Sequence, residues 1–371
     1  MREFSACRRI VVKIGTNVLT RDGRLDVGYV AMIAEQIAAI RGEDRHVLVV
    51  TSGAIGMGAR ELGLTERVTQ VTMRQACAAI GQPVLMNTYR DAFAGHGITV
   101  AQVLLTREIL NNRRSYLNLR NAVESLLSLR VLPIFNENDS VSTAEIGSAF
   151  GDNDQLSALI ASKIDADLLV MLSDIDALYS SDPRTHSDAV PLHTVTALTD
   201  EIRAAAGGAG STFATGGMRT KLKAVSIAER AGCRVVLADG REPDILRRLI
   251  AGEEIGTLFF ARDRLSNRER WILNAVPAGR IEIDPGAWSA VQGRRSLLPT
   301  GVRAVVGGFA ADSVVELWVT GGTAAVAKLL SSMGSDDLRL VMGKHSSEVS
   351  AILGSGRKDL VARPEEIVSI G

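Results

Sequence analysis

Between Val131 and Ala161 the sequence VLPIFNENDSVSTAEIGSAFGDNDQLSALIA sets five carboxylates and three asparagines between one apolar run and the next. Side chains of this kind can hold a metal ion, bind an ammonium group or orient lysines brought from elsewhere, and Asp139, Asp152 and Asp154 are open to all three uses. The plainer reading is capping and turn formation, which suits Asp152 but is strained for so many acids and amides at once. Two lysines invite the same scrutiny. Lys13 closes the apolar run IVVKIG just before Gly15, where a solvated lysine is less expected than in a loop, unless it snorkels at a sheet edge. Lys221 ends GGAGSTFATGGMRTK at 207–221, a flexible run leading into a helix start, where free backbone N–H groups and the helix dipole favour a phosphate; read blandly, it is a surface loop with a solvated lysine. Ser52, in the glycine-rich turn TSGAIG at 51–56, lies where a ligand can approach backbone N–H groups, or it caps a helix, or both. SDIDALYSSDP at 173–183 opens at a predicted strand end with Ser173 and Asp174 and can border the same pocket, or be an ordinary turn.

Two lysines, glycine-rich backbone and nearby carboxylates fit phosphoryl transfer, which depends on positioning and on neutralising spread negative charge. No general base stands out. A carboxylate acceptor, with a pKa of about 4.3 for a glutamate side chain, is already ionised at neutral pH and needs none. The residues alone therefore favour a kinase acting on an acid. The sequence has no GxxxxGK[ST] loop, GxSxG elbow, HExxH or HRD set, and its five histidines show no metal-ligand spacing. GAIGMG at 53–58 imitates a dinucleotide fingerprint, but Glu61 stands where its third glycine belongs.

The elements that must position these residues alternate. Arg9 to Ile14 reads as a strand ending at Gly15, Val27 to Arg41 as a helix, and 46–53 as a strand stopped by glycine. A helical region from about Arg67 to Ala94, broken near Gly81 and Pro83, leads to a strand at 98–105. A helix over Arg114 to Arg130 precedes a strand at 131–135; a helix over Asp154 to Ile164 precedes a strand at 166–174; a helix over Met218 to Ala231 precedes a strand at 233–240. Strands apolar almost throughout need cover on both faces, which predicts an α/β sandwich with a parallel sheet. Ligands of such sheets sit beyond the carboxyl ends of the strands, and Lys13, Ser52, Asn136 and Asp174 all fall at those ends.

After about Phe260 the character changes. ARDRLSNRERW at 261–271 reads as a linker on which Trp271 and Ile272 still have to pack. Beyond it, RIEID, AVQGRRSLLPTGVRAVVGGFAADSVVELW, AAVAKLL and LRLVMG read as short β-like pieces of a small domain or barrel. With 371 residues, 46% hydrophobic and 23% charged, the chain is long enough for two or three folded domains. Its 42 basic and 42 acidic residues balance, which removes any global attraction to nucleic acid or anionic membrane. Cys7, Cys77 and Cys233 form no CxxC, which suits a reducing cytoplasm rather than a disulfide framework. The N-terminus lacks the continuous apolar core of a signal peptide, and no apolar run nears the roughly 20 residues of a membrane span.

VVKIGTNVLT, VTSGAIGMG, FNENDSV, GDNDQLSA, LLVMLSDIDALYSSDP and ATGGMRTKLKA, in this order, resemble the glutamate 5-kinase family of the amino acid kinase superfamily, and GRRSLLPTGVRAVVGGF with MGKHSSEVSAILG resembles the PUA domain often fused to it. The resemblance implies a three-layer α/β sandwich with a mainly parallel central sheet over 1–261, a linker over 262–277, a β-rich PUA domain over 278–356 and a tail over 357–371. It further implies ATP-dependent phosphorylation of the L-glutamate γ-carboxylate, the first step of proline synthesis, with Mg²⁺ arriving on ATP rather than in a protein cage, inhibition by proline, and a homo-dimer or tetramer. By motif match Lys13 and Lys221 neutralise the transferring phosphoryl group while Asp154 holds them. Ser52, Asp139 and Asn153 bind glutamate, Asp139 taking its ammonium. Lys13, Ser173, Asp174, Thr215, Gly216, Gly217, Met218, Arg219, Thr220 and Lys221 bind ATP. Ser173 stands where threonine is usual, and Ala177 and Ala214 stand where the family has glycine. The competing readings are another acid kinase of the superfamily, RNA binding through the PUA domain as a second role, and a regulator without catalysis.

Overall fold

The computed structural model describes residues 2–21, 23–106, 109–110, 112–141, 153–205, 217–261, 265–354 and 358–370. Contacts divide the chain into two compact units, Met1–Arg264 and Leu265–Gly371.

In the first unit the strands β1 (Arg9–Ile14), β2 (His46–Val50), β3 (Val100–Leu105), β4 (Leu132–Glu137), β5 (Leu168–Ser173), β6 (Thr194–Val195), β7 (Arg234–Asp239) and β8 (Thr257–Phe259) form one sheet in the order β6-β8-β7-β5-β1-β2-β4-β3. Every adjacent pair is parallel except β7 with β8. Because successive strand residues point to opposite faces, the fully apolar strands feed two cores. Ile10, Val12, Ile14, Val47, Val49, Val170 and Leu172 pack on one side with α1 (Thr16–Leu19), α2 (Val27–Gly42), α3 (Ala54–Glu61) and α4 (Val71–Ala94). Val11, Leu48, Val50, Leu169, Met171, Val235 and Leu237 pack on the other with α5 (Arg113–Ser128), α6 (Asn153–Lys163) and α7 (Met218–Glu229). This is the three-layer sandwich that the apolar runs predict.

One expectation about this unit fails. The helix expected to break near Gly81 and Pro83 runs unbroken from Val71 to Ala94 with Pro83 inside it. Proline removes one helical hydrogen bond, but the surrounding packing supports the helix. A Cβ on Gly81 would lie 1.9 Å from Ala54 O, and one on Gly58 would lie 1.8 Å from Cys77 O. The two glycines therefore mark backbone-to-backbone contact between α3 and α4, not a break.

In the second unit β9 (Arg280–Ile283), β10 (Val302–Val306), β11 (Ser313–Val319), β12 (Ala325–Ser331) and β13 (Ile367–Ser369) pair in the order β10-β9-β11-β12-β13. The stretch expected as linker carries α8 (Asn267–Asn274), started by a Ser266–Glu269 capping box. Its Ile272 is fully buried with Val314 and Val368, and Lys328 Nζ donates to Leu273 O and Ala275 O near its end at 2.8 and 2.7 Å. The stretch expected as tail supplies β13. LRLVMG, expected as a β-like piece, lies mostly in the helix α9 (Ser335–Val341). Gly334 at its N-cap, Asp336 and Asp337 in its first turn, and Leu338 and Val341 buried on one face all favour helix there. Among the described residues no helix is long and apolar enough to cross a membrane.

Candidate active site

The carboxyl ends of β1, β2, β4 and β5 lie side by side in the sheet, so residues far apart in sequence meet there. Lys13 is the last residue but one of β1, in register with Val50 and Met171. Its neighbours on both strands are apolar, and the side chain is 5% exposed. Gly15 then turns the chain tightly against β5: its N–H donates to Leu172 O at 3.0 Å, and a Cβ there would stand 3.7 Å from Lys13 Nζ.

Asp154, in the first turn of α6, is completely buried. It pairs with Lys13 through Oδ1 and accepts from Lys221 Nζ through Oδ2 at 3.0 Å. Lys221, in the first turn of α7, is itself 4% exposed. Two buried ammonium groups thus share one buried carboxylate. Of the three uses open to this acid, these contacts are those of lysine orientation.

Gly217 caps α7 in an extended conformation without a side-chain cap. Its carbonyl accepts from Thr220 Oγ1 at 2.7 Å. Met218, Thr220 and Gly217 are half-buried, and Arg219 is exposed. Thr215 and Gly216, expected to bind nucleotide, lie outside the described residues, as do Ala214 and Asp152. At the end of β5, Ser173 Oγ donates to Asp174 Oδ1 at 3.1 Å, and Asn17 Nδ2 donates to Asp174 Oδ2 at 2.7 Å. Burial pushes the Asp174 carboxyl up, but these donors and the Lys221 charge outweigh it and hold the carboxyl below its ordinary value. Ala177 is buried.

The other side of the site brings Ser52 and Asn153 to the ends of β1, β2 and β4. Ser52 Oγ donates to Ile14 O at 3.2 Å and accepts from Thr16 Oγ1 at 2.9 Å, tying the turns after β1 and β2 together. Asn153 Nδ2 donates to Thr51 O at 2.7 Å and to Asn136 Oδ1 at 3.1 Å. Asp139 is half-buried just past β4. Burial pushes its carboxyl up to about 6, against the lowering influence of Arg74. Its charge is therefore lost as pH falls through about 6. A cationic ligand held by this carboxylate is expected to bind about tenfold more weakly for each unit below that value. For an amino-acid substrate, KM should climb between pH 7 and 5 at nearly constant kcat. Asp139→Asn should raise KM at pH 7 and above, with the difference from wild type shrinking as pH falls below about 6, and initial rates at saturating nucleotide check both.

The residues most easily missed in the sequence are Asn17 and Gln82. Asn136, at a strand end, is 1% exposed, and Gln82 reaches it from α4. Gln82 hides in the sequence because Gly81 and Pro83 on either side suggest a helix break.

Residues 8–239 match the model of the amino acid kinase family, and residues 279–353 match that of the PUA domain. Glutamate 5-kinase of Methanosarcina acetivorans is 43% identical over 373 residues, covering 98% of this chain and 96% of the relative. Glutamate 5-kinase of Chromobacterium violaceum is 45% identical over 353 residues, 94% of each chain. The solved carbamate kinase from Giardia lamblia, bound to AMP-PNP, is similar in fold, with a TM-score of 0.50 and 14% identity over 70% of this chain and 100% of that one. By its family model and by relatives matched along almost their whole length, the chain belongs to the amino acid kinase family, in the branch of the glutamate 5-kinases.

Proposed function

We propose that the protein transfers the γ-phosphoryl group of ATP to the γ-carboxylate of L-glutamate, giving L-glutamyl 5-phosphate and ADP. The observation that carries the reading is the buried Lys13–Asp154–Lys221 cluster at the strand ends. A carboxylate oxygen of glutamate forms the new bond to phosphorus as the bond from phosphorus to the ADP oxygen breaks. The attacking group is already ionised, so no residue has to remove a proton. The work left to the protein is alignment and charge neutralisation. Lys13 and Lys221 face the phosphoryl oxygens as charge accumulates there, and Asp154 keeps both ammonium groups fixed beforehand.

Glutamate is held by Asp139 at its ammonium, with Asn153 and Ser52 beside it. The nucleotide is held by Ser173, Asp174 and the segment Thr215 to Lys221, where the uncapped start of α7 offers backbone N–H groups to phosphate. Magnesium fits as an ion carried in on the nucleotide. Both oxygens of Asp154 already engage lysines, and among the described residues no three His, Cys, Asp or Glu side chains gather as a metal site. When bound, the ion would neutralise charge on the β- and γ-phosphates, and Asp174 would be the carboxylate on the proposed nucleotide side to hold it. Inhibition by proline and assembly as a homo-oligomer belong to the same reading and rest on family resemblance.

Incubating the purified protein with MgATP, L-glutamate and hydroxylamine is expected to trap γ-glutamyl hydroxamate, dependent on all three. Product with acetylglutamate, aspartate or carbamate but none with glutamate would replace the substrate assignment while keeping the reaction class.

A further inference from the structure

We propose that Gln82 is a positioning residue, which fixes the substrate-facing amide of Asn153 by locking Asn136 between them. The proposal rests on the reading that Asn153 faces the amino-acid substrate.

Three side-chain amides form a directed relay. Asn153 Nδ2 donates to Asn136 Oδ1 at 3.1 Å, and Asn136 Nδ2 donates to Gln82 Oε1 at 2.8 Å. Amide nitrogen and oxygen are easily interchanged in a structure, but here backbone groups of fixed polarity set the orientation. Asn153 Nδ2 also meets Thr51 O at 2.7 Å, and a carbonyl can only accept. Asn136 Oδ1 also meets the Glu137 N–H at 2.9 Å, and an N–H can only donate. With both its ends so fixed, Asn136 must present Nδ2 to Gln82, and Gln82 must present Oε1.

The relay determines what the substrate meets. Both hydrogens of the Asn153 amide are committed to Thr51 O and Asn136 Oδ1, so Asn153 offers its Oδ1, an acceptor, to a ligand. An acceptor suits an ammonium group and not a carboxylate. Without Gln82, the Nδ2 of Asn136 loses its acceptor, and Asn136 gains a reason to rotate and release Asn153.

Core packing alone is a poor account of a glutamine at this position. Gln82 is 8% exposed, and its Nε2 has no hydrogen-bond acceptor among the described residues. A methionine of similar length would avoid that buried donor. What the glutamine adds is its oxygen. Gly81 puts it there: the missing Cβ lets α4 close onto Ala54 O, at the start of the helix that follows Ser52.

The test compares Gln82→Met, which removes the accepting oxygen, with Gln82→Glu, which keeps it and replaces the unmatched nitrogen. Wild-type protein must first give glutamate-dependent product; if it does not, the substrate reading fails independently of the relay. With that in hand, Gln82→Met is expected to raise the glutamate KM about tenfold while kcat and the ATP KM stay within about twofold. Gln82→Glu is expected to remain within about threefold of wild type in all three. Unchanged glutamate KM in Gln82→Met overturns the proposal, as does an equal drop in kcat and in ATP affinity, which would mark a general structural role. Should Gln82→Met fail to fold, Gln82→Glu decides alone: a glutamate KM raised tenfold would assign the work to Nε2 and refute the relay.

Discussion

Lys221→Ala is expected to lower kcat by about 10²- to 10³-fold while the glutamate KM changes by less than about threefold. The size follows from what is removed. A unit charge about 4 Å from an anionic oxygen, at an effective dielectric near 20, interacts by about 4 kcal/mol, and single preorganised donors to transition-state charge are worth about 2.7–4 kcal/mol. The selectivity for kcat follows from position. Lys221 Nζ is bonded to Asp154, whereas Asn153 is held by Thr51 and Asn136, so the amino-acid side keeps its own supports. Lys221→Arg should rescue little, because a planar fork does not fit a buried place shaped for a compact ammonium. Steady-state rates over both substrates, with glutamate binding measured separately by calorimetry, check the result. Unchanged turnover would remove Lys221 from the phosphoryl-transfer machinery and leave it as the structural partner of Asp154.

The sandwich was legible in the sequence because its strands carry an unusually plain signal. RIVVKI, HVLVV and LLVMLS are apolar nearly throughout, and a strand covered on both faces has little freedom to be anything else. Lys13 was legible for the same reason, as a charge where burial leaves none expected. What the sequence hid were contacts made at long range. Gly81 and Pro83 suggest a broken helix by local propensity, yet the glycine serves a neighbouring helix whose backbone approaches within van der Waals contact. Gln82 meets a partner 54 residues away, and no local pattern announces such a pair. The helix Ser335–Val341 reads as strand in the sequence because its leucines and valine suit either element, while the deciding cues, a glycine cap and two first-turn aspartates, lie just ahead of the apolar run. For Asp154 the sequence left three chemistries open, and only the two lysine contacts chose among them.

That choice gives Asp154 an energetic role as well as a chemical one. Asp154→Ala leaves two ammonium groups, 5% and 4% exposed, without their shared counter-ion. Breaking a buried ion pair by removing one partner costs about 3–5 kcal/mol, so the variant should unfold at a markedly lower urea concentration with an unchanged denaturant slope. Replacing all three residues by apolar ones, Lys13→Met with Asp154→Leu and Lys221→Met, should return most of that stability while abolishing turnover, because well-packed apolar groups match or exceed a buried ion cluster. A difference of less than about 1 kcal/mol between Asp154→Ala and wild type would mean that the lysines find water or other acceptors, and the idea of a preorganised cationic pair would fall. The same charge imbalance predicts how ATP acts on the variant. A triphosphate supplies the anion that Asp154 no longer provides, so saturating nucleotide should raise the unfolding midpoint of Asp154→Ala by more than it raises that of wild type. In the proposed mechanism the carboxylate stands between the two lysines before nucleotide arrives, holding the charges where the phosphoryl group would need them, and the stability lost with Asp154 measures how strongly it does so.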